Sequence, residues 1–219
     1  MHDLVIKNGT VFDGQEARNP HLTPSGWNGV TSDVMGNCGV GFAPAQPERQ
    51  EWRIQRVKGV EDIPGAALSD GMTWNGETFP EYLDAIDALP HALDFGALIP
   101  HGAVRAYVIG ERGARNEKAS PDDIETMAEI VPDGLPAGAM GFSTSRTLLH
   151  RAKDDEPVPG TYAGEEERLG IGQAMGDVGA GVFELASDLV EEKKEVAWMH
   201  DLSKRTGRLI RDAQAAPRR

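Results

Sequence analysis

Apolar residues in this chain come in short runs, and glycine or proline closes nearly every run. Leu4, Val5 and Ile6 stand before Asn8-Gly9, a strong hairpin signal, so residues 3–14 predict a strand, a turn and a second strand. Residues 15–24 are polar and contain proline, hence loop. The β-branched run Val30 to Val34 predicts the next strand, and Met35 to Phe42 follows as a glycine-rich turn. Residues 48–58 predict a helix with Trp52, Ile54 and Val57 on one face. Thr78 with Glu81 makes a capping box for a helix over 79–89, which Pro90 stops.

The second half repeats this rhythm. Residues 95–99 predict a strand that ends in Pro100-His101-Gly102. Ser120, Pro121, Asp122 and Asp123 are N-cap, first-turn proline and first-turn acids of a helix. That helix is expected to stop near Val131, because Pro132, Gly134 and Pro136 follow. Residues 137–142 predict a small-residue strand that leads into the polar stretch 143–151. A glycine-weakened helix over 163–178 and a strand over 181–185 come next. Residues 188–206 give the clearest helix: Asp188 as N-cap, Leu189, Val196, Met199 and Leu202 as apolar stripe, and Gly207 as C-cap. Glu165-Glu166-Glu167 and 191–194 read as solvated helix faces, and His200 as surface.

Strands alternating with helices from Val30 to Thr206 predict an α/β fold of successive βα units around a parallel sheet. Four strands fall in that part, against the eight that close a (β/α)₈ barrel. The chain divides into 1–14 as hairpin, 15–29 as linker, 30–210 as the βα body and 211–219 as a frayed tail. Its 219 residues suffice to bury a core. The net charge of −13, with scattered arginines, argues against a nucleic-acid partner. One cysteine allows no internal disulfide and fits a reducing cytoplasm, and no apolar run reaches membrane-spanning length.

That cysteine, Cys38, is flanked by Gly36, Gly39 and Gly41 where a strand ends, the place a parallel α/β protein puts chemistry. A lone cysteine is also commonly a small buried hydrophobe. The glycines do not make a nucleotide loop, since no G-x-G-x-x-G or Gly-Lys-Ser/Thr occurs here. His101 also follows a strand; it is either a site residue or a loop histidine bonded to a turn carbonyl.

The chain resembles the D-aminoacylase (N-acyl-D-amino-acid deacylase) branch of the amidohydrolase superfamily. The matching segments are DLVIKNGTVFDG (3–14), LTPSGWNGVTSDVMGNCGVGF (22–42), GVEDIPG (59–65), FPEYL (79–83), PHGAVRAYVIGERGARN (100–116) and GFSTSRTLLHRAKDDEPVPGT (141–161). The resemblance implies a metal-dependent hydrolase on a partial (β/α)₈ TIM barrel, with residues 1–14 as remnant of an N-terminal β-sandwich. It implies hydrolysis of the amide C–N bond of small N-acyl-D-amino acids, with no nucleic acid or membrane partner. Cys38 matches the family's zinc ligand, and a thiolate suits Zn²⁺. His101, Ser143, Ser145, Arg146 and His150 fall in matched segments expected to line the substrate cleft.

Three departures are visible. No His-x-His occurs, and Phe12-Asp13-Gly14-Gln15 reads as a join across the segment that would hold it. The family's later histidines and its proton-shuttle aspartate have no counterpart. Pro132, Gly134 and Pro136 interrupt an expected helix. The alternatives are a non-catalytic truncated relative, a cyclic-amide hydrolase of hydantoinase or dihydroorotase type, and, more distantly, a cysteine hydrolase. An open part-barrel also leaves sheet edges that favour self-association.

Overall fold

The computed structural model describes residues 23–57, 68–69, 71–89, 91–152 and 155–212, and the hairpin expected over 3–14 and the join at 12–15 lie outside them. Five strands form one sheet in chain order, every neighbouring pair parallel. They are β1 (Ser32–Met35), β2 (Asp94–Pro100), β3 (Gly141–Arg146), β4 (Val182–Ser187) and β5 (Leu209–Asp212). The helices are α1 (Thr23–Trp27), α2 (Gln50–Val57), α3 (Phe79–Asp87), α4 (His101–Ala114), α5 (Pro121–Gly134), α6 (Glu165–Val178) and α7 (Glu192–Thr206). Among the described residues no helix is long and apolar enough to cross a membrane.

The main core lies between the sheet and the helices that follow its strands. Ile99, Phe142, Phe183 and Leu185 meet Val104, Met127, Ile171, Met175, Trp198 and Leu202 there. Side chains alternate across a strand, so the residues between these point to the other face. Ser143 and Glu184 are register partners on that second face. Both middle strands are buried on both sides, which is why β3 and β4 lack a simple apolar–polar alternation.

The caps follow their sequence signals. Thr78 and Glu81 form the capping box of α3, Ser120 and Asp123 that of α5, and Gly207 adopts the left-handed conformation that ends α7.

Five expectations are corrected. Helix α5 runs through Pro132 to Gly134, where β2 packs so closely that a Cβ on Gly134 would stand 2.7 Å from Ile99 Cδ1. Strand β3 is Gly141–Arg146, not 137–142, because Gly138 and Ala139 are still bonded back to Leu135 and Gly134. Ser143, Ser145 and Arg146 are therefore strand residues. Helix α7 starts at Glu192 and buries Glu195, Trp198, Leu202 and Thr206; Val196 is exposed and Leu189 precedes the helix at positive φ. Asp188 is not its N-cap but accepts the Leu148 N–H at 2.8 Å. Leu209–Asp212 forms a fifth strand, so the expected frayed tail does not begin at Arg211.

Candidate functional site

The turn Gly36–Gly39 crosses the C-terminal ends of β2, β3 and β4. Gly36 (φ +80°), Cys38 (φ +58°) and Gly39 (φ +71°) are all left-handed, which bends the chain sharply after β1. A Cβ on Gly39 would sit 2.8 Å from the Ser145 nitrogen, so the turn lies almost in contact with β3. Successive N–H groups in this conformation point the same way and form a concave nest for an oxygen. The Cys38 N–H donates to Glu184 Oε2 at 3.0 Å, and the Gly39 N–H to Ser143 Oγ at 3.0 Å. The Ser143 hydroxyl donates in turn to the Gly36 carbonyl. Two register partners on adjacent strands thus hold the cysteine turn from below.

Glu184 is 1% exposed, and its second oxygen, Oε1, has no hydrogen-bond partner among the described residues. Burial pushes its carboxyl above the ordinary range, against the opposing pull of the Cys38 N–H and Arg211. Cys38 itself is half-buried at the mouth.

His101 starts α4 directly after β2, but its ring turns into the helix layer. It is fully buried, with Nδ1 2.8 Å from Thr144 Oγ1 and Nε2 2.7 Å from Glu167 Oε1. Arg105, one turn along α4, clasps both Glu167 oxygens at 2.5 Å. Burial pushes His101 below its ordinary value, more than the Glu167 contact raises it. The ring is therefore neutral, with Nε2–H donating to Glu167 and Nδ1 accepting from Thr144. Burial alone would raise the Glu167 carboxyl, but its hydrogen bonds with His101 and Arg105 and the adjacent guanidinium charge hold it down at about 2. Neither the loop-histidine reading nor a cleft-facing ring describes His101, and Glu167 is not on a solvated face.

The other expected residues divide between the two faces. Ser145 Oγ lies 3.0 Å from His150 Nδ1. Arg146 turns to the helix side, where its guanidinium meets Glu195 through contacts of 2.7 and 2.5 Å. Glu195 also accepts the Trp198 indole N–H at 3.1 Å. Cys38, Ser143, Ser145, Arg146 and His150 thus share the strand-end side of the sheet, while the side chains of His101 and Arg146 are taken up behind it.

The amidohydrolase family model matches residues 6–217. The chain belongs to the amidohydrolase family. An uncharacterized protein of Mycobacterium tuberculosis is 31% identical over 166 residues, 73% of this chain and 27% of that protein. The D-aminoacylase of Alcaligenes xylosoxydans xylosoxydans is 30% identical over 139 residues, 64% of this chain and 26% of that enzyme. The chain thus spans about a quarter of the length of the curated relatives it matches. A D-aminoacylase crystal structure superposes with a TM-score of 0.62 at 24% identity, covering 86% of this chain and 35% of that one. The Bordetella bronchiseptica N-acyl-D-glutamate deacylase, complexed with zinc and a phosphonate mimic of the tetrahedral intermediate, gives 0.63 at 24% identity, covering 89% and 36%. These structures share the fold: the five parallel strands are an arc of the amidohydrolase barrel.

A D-aminoacylase carries a binuclear metal center and the Bordetella deacylase holds zinc, so the donors of this chain can be tested against such a metal. A catalytic zinc takes three protein ligands and keeps one position open for water. Here the Cys38 backbone N–H is bonded to Glu184, whose Oε1 is buried with no hydrogen-bond partner among the described residues. Among the described residues no group of three or more His, Cys, Asp or Glu side chains is placed to hold a metal. His101 does not supply the third, since both its nitrogens are engaged. Among the described residues these donors do not make up a catalytic metal centre.

Two of these residues escaped the sequence reading. Glu184 had a signal: it is a lone carboxylate inside the apolar run Val182 to Ala186. Glu167 had none, because it reads as the third acid of a first turn.

Proposed function

We propose that these residues carry part of an N-acyl-D-amino-acid amide hydrolase site, with Cys38 as a zinc ligand at the strand-end mouth. We further propose that the chain by itself does not turn such amides over. The carrying observation is the Cys38 turn, laid across β2–β4 and pinned by Ser143 and Glu184. Ser145 and His150 are the pair that faces an N-acyl-D-amino acid. Ser143 holds the turn, and His101 and Arg146 hold the wall from behind. The sequence similarity to D-aminoacylase supports the substrate class.

Too few ligands leave zinc weakly held, and a weakly held metal does not acidify water. No general base is positioned at this mouth among the described residues, which removes roughly another 10²–10⁴-fold. The test is an assay of the purified protein with added zinc against N-acetyl-D-methionine. No zinc-dependent release of D-methionine is expected. Zinc-dependent turnover that is lost in Cys38→Ala would overturn the claim of inactivity.

A further inference from the structure

We propose that Arg53 is a positioning residue for the candidate site, its guanidinium clamping the backbone that follows Cys38 against the start of α4. The clamp stands on its own contacts, and only its bearing on the site rests on the proposed role of the Cys38 mouth. Arg53 lies in α2 and is 3% exposed. Its Nη1 donates to the Gly102 carbonyl at 3.1 Å, and its Nη2 donates to the Gly41 carbonyl. Its Nε has no hydrogen-bond partner among the described residues. Burial pushes the guanidinium down to about 10, so it stays charged at neutral pH. Arg105 and Arg146 are each matched by a carboxylate, Glu167 and Glu195. Arg53 meets none among the described residues and gives its two bonds to backbone carbonyls.

An unmatched buried cation is costly, and an apolar side chain would fill the same space at lower cost. A guanidinium does what an apolar residue cannot: its fork donates to two separate segments at once. The segment after Cys38 needs such a handle. A Cβ on Gly102 would stand 2.8 Å from the Gly39 oxygen, and one on Gly41 would stand 2.6 Å from Pro100 Cγ. The loop therefore lies flush on the end of β2, and Gly39 and Gly41 have no side chains to anchor it there. A carbonyl is what remains to hold. Ser143 and Glu184 fix the turn from the sheet side, through the Gly39 and Cys38 N–H groups. Arg53 fixes it from the helix side, through Gly41 and through Gly102, which touches Gly39. Cys38 stands between the two sets of bonds, so releasing one set lets it shift relative to Ser145 and His150.

The experiment compares wild type, Arg53→Met and Arg53→Lys under native conditions. Amide hydrogen exchange over residues 38–42 is read against the core amides of Ile99 and Phe183, and global stability is read by urea unfolding. Cys38 is the only cysteine, so its rate of alkylation by iodoacetamide reports this turn alone. Arg53→Met fills the space without the two donors. Exchange over 38–42 and alkylation of Cys38 are both expected to rise at least about tenfold, the scale of one hydrogen bond to a charged group. Ile99 and Phe183 are expected to change no more than the urea-measured stability does. Arg53→Lys keeps the charge but has no fork to span both carbonyls, so it is expected to fall between Arg53→Met and wild type.

Exchange over 38–42 that moves only as far as the core amides in Arg53→Met overturns the clamp. So does an Arg53→Lys variant no closer to wild type than Arg53→Met. Faster exchange over 38–42 with unchanged alkylation of Cys38 keeps the clamp and overturns its bearing on the site. If Arg53→Met does not fold, Arg53→Lys decides on the same readouts: local acceleration beyond the core supports the clamp, and wild-type rates overturn it.

Discussion

At the scale of single residues, the strongest interactions lie behind the sheet. Arg105 and Glu167 are both almost wholly buried and 2.5 Å apart. Glu167→Gln leaves a buried guanidinium without its counter-charge, at a cost of about 3–5 kcal/mol. That is a large share of a domain's usual margin. Urea unfolding of the variant should show a much lower midpoint. The same cluster sets the acid response. The Glu167 carboxyl is held at about 2 against an ordinary 4.5, so its stabilisation is complete above pH 4.5 and fades as pH falls toward 2. His101 is held below its ordinary 6.5, so the unfolded chain gains a proton below that pH which the folded chain refuses. Both effects make the protein less stable in acid. Thermal melts should begin to fall as pH drops through 6.5, through His101, and again below 4.5 through Glu167. A His101→Gln variant should lack the first decline.

At the scale of elements, close approach competes with propensity. Gly172 sits inside α6 where it faces Leu202 of α7, and a Cβ there would collide with the buried Leu202 side chain. Alanine gains about 1 kcal/mol of helix propensity. Overpacking costs typically 1–3 kcal/mol, and Leu202 is fully buried in the core. Gly172→Ala should therefore be neutral to destabilising by up to about 2 kcal/mol, where propensity alone predicts a gain. Pro132 is the opposite case. It lies inside α5 with no N–H to donate to the carbonyl four residues back. Pro132→Ala restores that bond and should raise the melting temperature, by an amount reflecting roughly 1–3 kcal/mol. The proline stops a helix only when no tertiary contact extends it. Here Val131, Gly134 and Leu135 are all buried, and that packing carries the helix one turn further.

At the scale of the whole molecule, the sheet is an arc. Among the described residues β1 and β5 each pair on one side only, and Val34 and Leu209 stand exposed on them. Such edges invite pairing. The net charge of −13 opposes it at low ionic strength, so association should strengthen as salt screens the repulsion. Light scattering should show mass rising with concentration and salt, and Leu209→Lys should shift the protein toward monomer. A constant monomer mass at high salt would refute edge pairing.

The sequence by itself determined the parallel α/β class, the capping boxes at Thr78 and Ser120, the Gly207 stop and the cysteine turn. Each is a local matter of hydrogen-bonding side chains, left-handed backbone or strand–helix alternation within a few residues. Tertiary structure decided the rest. The fifth strand exists because β4 offers Leu209–Asp212 a ladder. Residues 143–146 are strand because β3 is flanked on both sides and buried on both faces, which leaves no alternation to read. Glu167 and Glu184 acquire their roles from partners 66 and 146 residues away, His101 and Cys38. Acids in a first turn and in an apolar strand become a wall clamp and the anchor of the cysteine turn only when the sheet closes the distance, because burial removes the water that would otherwise satisfy them.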